Sequence, residues 1–131
     1  MANTYAQIPS DVIESKAYMT LPGKAPQVLA YIASKYRGDN NGDLCATYAE
    51  LRAYGYHNKS ITLAFSNLTG RGLLVRTRSG RGQGRKIGSL YALGWLPIST
   101  GVIRKLRGYG YNGQLKPVFG YLDWRAEKDV A

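Results

Sequence analysis

With 131 residues, 44% of them apolar and 20% charged, the chain can build one modest hydrophobic core, is too short for two full domains, and lacks the composition of a disordered tail. Its formal net charge of +10 is segregated: no acidic residue occurs between Glu50 and Asp123, a stretch that holds Arg52, Lys59, Arg71, Arg76, Arg78, Arg81, Arg85, Lys86, Arg104, Lys105, Arg107 and Lys116. Such a field points to a polyanionic partner, because like charges crowded together repel; no window is apolar over the length of a bilayer and Met1–Ser10 lacks the order of a secretory leader, so a cytoplasmic protein without membrane contact is expected.

Along the chain, Ile8-Pro9 precedes Ser10-Asp11, an expected N-cap, and Val12, Ile13, Tyr18 and Met19 are set to line one short helix ending near Leu21-Pro22-Gly23. From Ala25 to Tyr36 the residues Val28, Leu29, Ile32, Ala33 and Tyr36 recur every three or four positions, the period of an amphipathic helix, with Lys35 and Arg37 near its negative end. Gly38-Asp39-Asn40-Asn41-Gly42 is a turn cluster, and Leu44-Cys45-Ala46 suffices only for a short strand. Thr47-Tyr48-Ala49-Glu50 has the form of a capping box, so a helix should start at Tyr48. Gly55 offers a left-handed stop and Asn58 a new N-cap; Ile61, Ala64, Phe65 and Leu68 then share one helical face, closed by Gly70 and Gly72. Two helices with so short a connection have the spacing of a helix-turn-helix.

After Gly72, Leu73 to Arg78 reads as a strand and Ile87 to Leu93 as its return partner. Ser79-Gly80-Arg81-Gly82-Gln83-Gly84-Arg85-Lys86 between them has nothing apolar to bury and is expected to form an exposed hairpin tip. Helix, short strand, helix, turn, helix and hairpin is the element order of an α+β winged helix-turn-helix with a basic two-stranded wing. Residues 1–97 are expected to form that domain, closed by Trp95-Leu96-Pro97. Residues 98–131 are a basic, Gly/Tyr-rich C-terminal extension, separate or packed on the first unit, with a short helix at about Val102 to Arg107. The phrase Leu51-Arg52-Ala53-Tyr54-Gly55-Tyr56 returns as Leu106-Arg107-Gly108-Tyr109-Gly110-Tyr111, too short a match to imply duplication.

Opposite Ile61, Phe65 and Leu68, the second helix of the pair carries Lys59, Leu63, Ser66 and Asn67, flanked by Ser60 and Thr62. Those side chains suit a major groove: Asn67 for adenine, Lys59 for guanine or phosphate, Ser60 and Thr62 for phosphate, Leu63 for a thymine methyl. A solvated helix face with one exposed leucine is the plainer reading. Arg76, Arg78, Arg81, Arg85 and Lys86 crowd onto the hairpin, where phosphate would relieve their repulsion; Arg71, Arg104, Lys105 and Arg107 complete the candidate DNA-binding set. Of the tyrosines, Tyr31, Tyr36 and Tyr48 fall at core-edge positions, whereas Tyr109, Tyr111 and Tyr121 are candidates for base stacking or protein contact. Cys45 is expected to be a small buried residue; with His57 alone it cannot build a zinc site, and Asp39 with Asp43 is too small a set for calcium. No Walker-type loop is present, and neither an enzyme nor a cofactor is expected.

Four phrases carry a family resemblance: Ile8-Pro9 followed by Ser15-Lys16-Ala17-Tyr18, the turn Arg37-Gly38-Asp39-Asn40-Asn41-Gly42, Gly72-Leu73-Leu74-Val75 before the basic segment, and Trp95-Leu96-Pro97 after it. The stretch from Ile8 to Leu96 resembles winged helix proteins of phages, plasmids and other bacterial mobile elements, related in style to replication-initiator and transcriptional-regulator domains. It departs from them at Tyr56-His57-Asn58, where Gly-Ile-Ser is common, and in the Tyr-rich tail. The resemblance implies double-stranded DNA as partner, a nucleoid-associated location in a bacterium, and a role as a small regulator or replication accessory. The alternatives are a scaffold that docks on a host protein or nucleoprotein complex, for example to inhibit a host nuclease system, and an RNA binder; the extension could also support a homodimer or a host-protein contact.

Overall fold

The computed structural model describes residues 6–78, 89–117 and 121. Instead of one N-terminal helix there are two single turns, α1 (Ser10–Ile13) and α2 (Lys16–Met19). Ser15 is the cause: its hydroxyl donates to the Val12 carbonyl and accepts from the Tyr18 amide, closing one turn and opening the next. The break buries Val12 and Ala17 and leaves Ile13 and Met19, both expected on the inner side, exposed.

The periodic segment forms α3 (Ala25–Ala33), with Val28, Leu29, Ile32 and Ala33 buried and Pro26 in the first turn, where its missing N–H costs nothing. It stops short of Tyr36 because Asn40 holds the next residues in a turn, accepting from the Arg37 amide and donating to the Lys35 carbonyl. The capping box is present at α4 (Tyr48–Ala53). α5 (Asn58–Gly70) begins one residue earlier than expected: His57 takes the cap position without a side-chain bond, and the Asn58 carboxamide instead accepts from Arg52 at 2.8 Å. α5 packs against both α3 and α4.

Three antiparallel strands, β1 (Leu44–Cys45), β2 (Leu74–Arg78) and β3 (Leu90–Leu93), lie in the order β1-β3-β2. The described residues therefore form an α+β fold with a small antiparallel sheet. Central β3 is buried throughout, and its alternation supplies two cores. Tyr91 and Leu93 join the large core beneath α3, α4 and α5, while Leu90 and Ala92 join Ile98, Val102 and Leu106 on the other face. The latter two belong to α6 (Thr100–Gly108), so the extension lays its apolar stripe on the sheet, and the Ile98 amide donates to the Leu115 carbonyl at 2.8 Å. The layers run helices, sheet, helix.

Asn41, at the end of the turn cluster, joins these layers. Fully buried, it accepts from the Leu93 amide at 2.7 Å and donates to the carbonyls of Leu93, Leu96 and Pro97. Its backbone exchanges two bonds with Ser99. One side chain thus fixes the exit from β3 and the start of α6.

The repeated six-residue phrase has a local structural meaning. At both sites the second tyrosine's amide bonds the leucine carbonyl, the glycine amide bonds the arginine carbonyl, and the glycine (Gly55 or Gly110) has positive φ. This is the Schellman stop, with leucine buried and the last tyrosine packed against its core. The phrase is a helix terminator used twice.

Candidate nucleic-acid interface

The turn between α4 and α5 is held from below by its own aromatic residues. The Tyr54 ring meets Tyr31 of α3 edge-on at 5.6 Å, and the Tyr56 hydroxyl donates to Gln27 at 2.9 Å. Glu50 adds a second tie. Its carboxylate accepts from the Tyr31 hydroxyl at 2.6 Å, from Lys35 at 2.7 Å and from its own cap amide at Thr47. Burial alone would raise this carboxyl; the bonds from Lys35, Tyr31 and Thr47 outweigh burial and hold it down at about 2. Tyr31 of α3 and Lys35 just beyond it therefore tie α4 to that helix through Glu50, and the third bond closes the cap of α4 itself.

With its inner face on α3, α5 turns Lys59, Thr62, Leu63 and Ser66 outward, with Ser60 and Asn67 half-buried at the flanks. Leu63 is 54% exposed. An exposed leucine by itself is ordinary; its place between Lys59 and Ser66 puts an apolar contact in the middle of a polar, acid-free face. Two of the candidates have intramolecular partners: the Thr62 hydroxyl shares a 2.6 Å bond with Tyr48, and the Asn67 amide nitrogen donates to the Leu63 carbonyl at 2.9 Å. Asn67 is folded back along its own helix and would need a rotamer change to reach a base.

A ladder of rings that sequence spacing does not reveal couples α5 to the sheet. Tyr48, Phe65 and Tyr91 stack in succession, with centroids 6.4 and 4.8 Å apart. They come from α4, α5 and β3, so the helix pair and the strand hairpin are registered by one aromatic column. Sequence spacing places Phe65 on the inner face of its helix and Tyr48 at a core edge, but their succession onto Tyr91 depends on the folded sheet.

The basic residues of the strand base are divided. Arg76 pairs with Tyr91, on the α5 side, but the register slips by one before Arg78, which pairs with Leu90 on the α6 side. Thr77 is the extra residue of this bulge and donates its buried hydroxyl to the Gly42 carbonyl at 2.6 Å. Arg78 consequently stacks over Tyr109 at the end of α6, 4.6 Å from the ring centre. The expected tip, with Arg81, Arg85 and Lys86, lies outside the described residues.

Arg71 sits away from the helix face. Its guanidinium donates to the Ala17 carbonyl and the Thr20 hydroxyl, both at 2.8 Å, tying α5 to the end of α2, and burial lowers its pKa. On α6, Arg104 and Arg107 are exposed, while Lys105 pairs with Asp43 at 3.0 Å. Since α6 covers the sheet face opposite α5, the structure separates these residues from Lys59 and Leu63.

Of the tail tyrosines, Tyr121 differs from expectation, whereas Tyr109 is 46% exposed. Tyr121 is only 1% exposed, in the large core, because the chain returns to pack there. Tyr111 donates its hydroxyl to the Gln114 carbonyl, and Tyr109 lies under Arg78. Cys45 is half-buried rather than buried, and burial pushes its thiol up, keeping it protonated near neutrality. Among the described residues no group of three or more metal-ligating side chains converges, and no helix is long and apolar enough to cross a membrane. Searches of protein-family models, curated proteins and solved structures found no match to this chain.

Proposed function

We propose that this chain is a winged helix-turn-helix protein that binds duplex DNA as a small regulator or replication accessory of a mobile element. The observation that carries the proposal is the exposed face of α5. It presents Lys59, Thr62, Leu63 and Ser66 on a helix packed against α3 and α4, with Arg76 of β2 on the same side of the sheet, within a stretch that holds no acidic residue. The element order and the β1-β3-β2 sheet are compatible with that fold.

In this reading α5 enters the major groove. Lys59 approaches guanine or phosphate, Leu63 meets a thymine methyl, and Asn67 swings from the Leu63 carbonyl to the edge of an adenine. The hydroxyls of Ser60, Thr62 and Ser66 meet the backbone. Arg76 extends the contact along the hairpin base, and Arg81, Arg85 and Lys86 continue it, while Arg71 keeps the helix seated on α2. The Tyr48–Phe65–Tyr91 column fixes the angle between helix and hairpin, so base contacts and phosphate contacts are held in one register. Of the described tail tyrosines, Tyr121 is buried and Tyr111 is held through its hydroxyl, so Tyr109, 46% exposed, is the ring left to meet an unpaired base if the polyanion is single-stranded RNA.

Salt dependence tests the proposal. If about five cations contact phosphate, the log–log slope of duplex affinity against salt is about −4.5. Arg81→Ala with Arg85→Ala should flatten it by about 2 and weaken all duplexes alike. A slope near zero for the wild type, or tighter binding to single-stranded RNA at matched salt, would overturn the reading.

A further inference from the structure

The sheet separates α5, whose single cation is Lys59, from α6, which carries Arg104, Lys105 and Arg107, and the outer face of α6 has no part in the reading above. Its crest carries Arg104 between two exposed glycines, Gly101 and Gly108, with Arg107 one turn on from Arg104. Among the described residues a Cβ added at either glycine would meet nothing within 4 Å, so their packing does not demand a glycine. The two glycines leave the helix surface low on both sides of an arginine, the shape that lets an extended backbone approach closely. Neither Arg104 nor Arg107 makes an ion pair among the described residues, whereas Lys105 beside them is matched to Asp43. The negative end of the helix favours cations in its last turn, which accounts for Lys105 and Arg107 but not for Arg104 in the middle of α6.

We propose that α6 is a second phosphate-binding surface, so that one molecule holds two duplex segments at once and bridges them; this rests on duplex binding at α5. Layers stack about 10 Å apart and a helix is about 10 Å across, which puts the outer faces of α5 and α6 roughly 30 Å apart. A straight duplex cannot lie against both. Arg78 marks the division: the bulge at Thr77 sends it to α6, where it props the ring of Tyr109 at the helix end, while Arg76 stays with α5.

The test uses the full chain at about 0.15 M salt, where the screening length of about 8 Å keeps the two surfaces electrostatically separate. One biotinylated duplex on beads and one fluorescent duplex in solution report bridging, and anisotropy reports binding to a single duplex. Light scattering of the free chain identifies the species tested. Wild type should retain the fluorescent duplex on the beads. Arg104→Gln with Arg107→Gln should lower that retention about 30-fold, as expected for two lost phosphate contacts, and leave single-duplex affinity within about threefold. Single-duplex binding without bridging, equal bridging by the variant, or equal loss of both signals would overturn this inference and leave the duplex reading standing. Absence of any duplex binding by the wild type would overturn both, and retention of a protein from cell extract on the same beads, removed by the double substitution while duplex bridging is absent, would assign α6 to a protein partner instead.

Discussion

The two faces of β3 meet very different company. Tyr91 and Leu93 close a core fed by α1 to α5, in which the apolar residues of α3 and α5 recur at helical spacing, whereas Leu90 and Ala92 meet one nine-residue helix and the segments that flank it. The first side is built from many local patterns that agree. The second depends on a few distant ties: Asn41 to the end of β3, Ile98 to Leu115, and Arg78 to Tyr109. A surface made in the second way belongs to the less stable part of a fold, so α6 should open before the helix pair does.

Substitutions can break this comparison. Leu29→Ala, in the centre of the large core, should cost about 4 kcal/mol and unfold the whole molecule in one transition, followed by urea titration of circular dichroism. Asn41→Ala removes buried bonds that serve both sides and should cost about 3 kcal/mol, while hydrogen exchange speeds up at both β3 and α6. If only one side loosened, Asn41 would not be the link between them. Leu106→Ala, though equally buried, should cost only about 2 kcal/mol, with faster exchange in α6 and little change in α3. The smallest effect concerns pH. The Glu50 carboxyl is held at about 2, below its ordinary 4.5, so its contribution is complete above about 4.5 and disappears as pH falls through 2. Glu50 is partly solvated, and after allowance for screening the contribution is about 1 kcal/mol. Urea midpoints for wild type and Glu50→Gln should differ at pH 6 and converge near pH 2.

Local chemistry made much of the large-core side legible. The period of Val28, Leu29 and Ile32, the Thr47–Glu50 capping box, the stop at Gly55 and the strand before the basic segment all depend on neighbours within a few residues. Apolar spacing predicts one first helix because it does not register Ser15, whose side chain caps a second turn. Asn58 resembled a cap because its type suits one, yet Arg52 claims its carboxamide across the turn. On the other side the decisive contacts are long-range. Nothing in Gly38-Asp39-Asn40-Asn41-Gly42 distinguishes the asparagine that spans to Leu93 from the one that closes its own turn. The bulge that sends Arg76 and Arg78 to opposite faces, the seating of Arg71 on α2 and the burial of Tyr121 likewise require the assembled sheet. The basic residues were therefore visible as one population, and their division between two surfaces was not.

Selection of binding sites from a random duplex library tests most directly the claim that α5 reads sequence. The wild type should enrich a defined sequence, and Lys59→Ala and Asn67→Ala should each relax preference at separate positions, by about 1–3 kcal/mol per base pair, while non-specific affinity at low salt persists. A library that remains random under the wild type, or an identical enriched sequence from both variants, would contradict it.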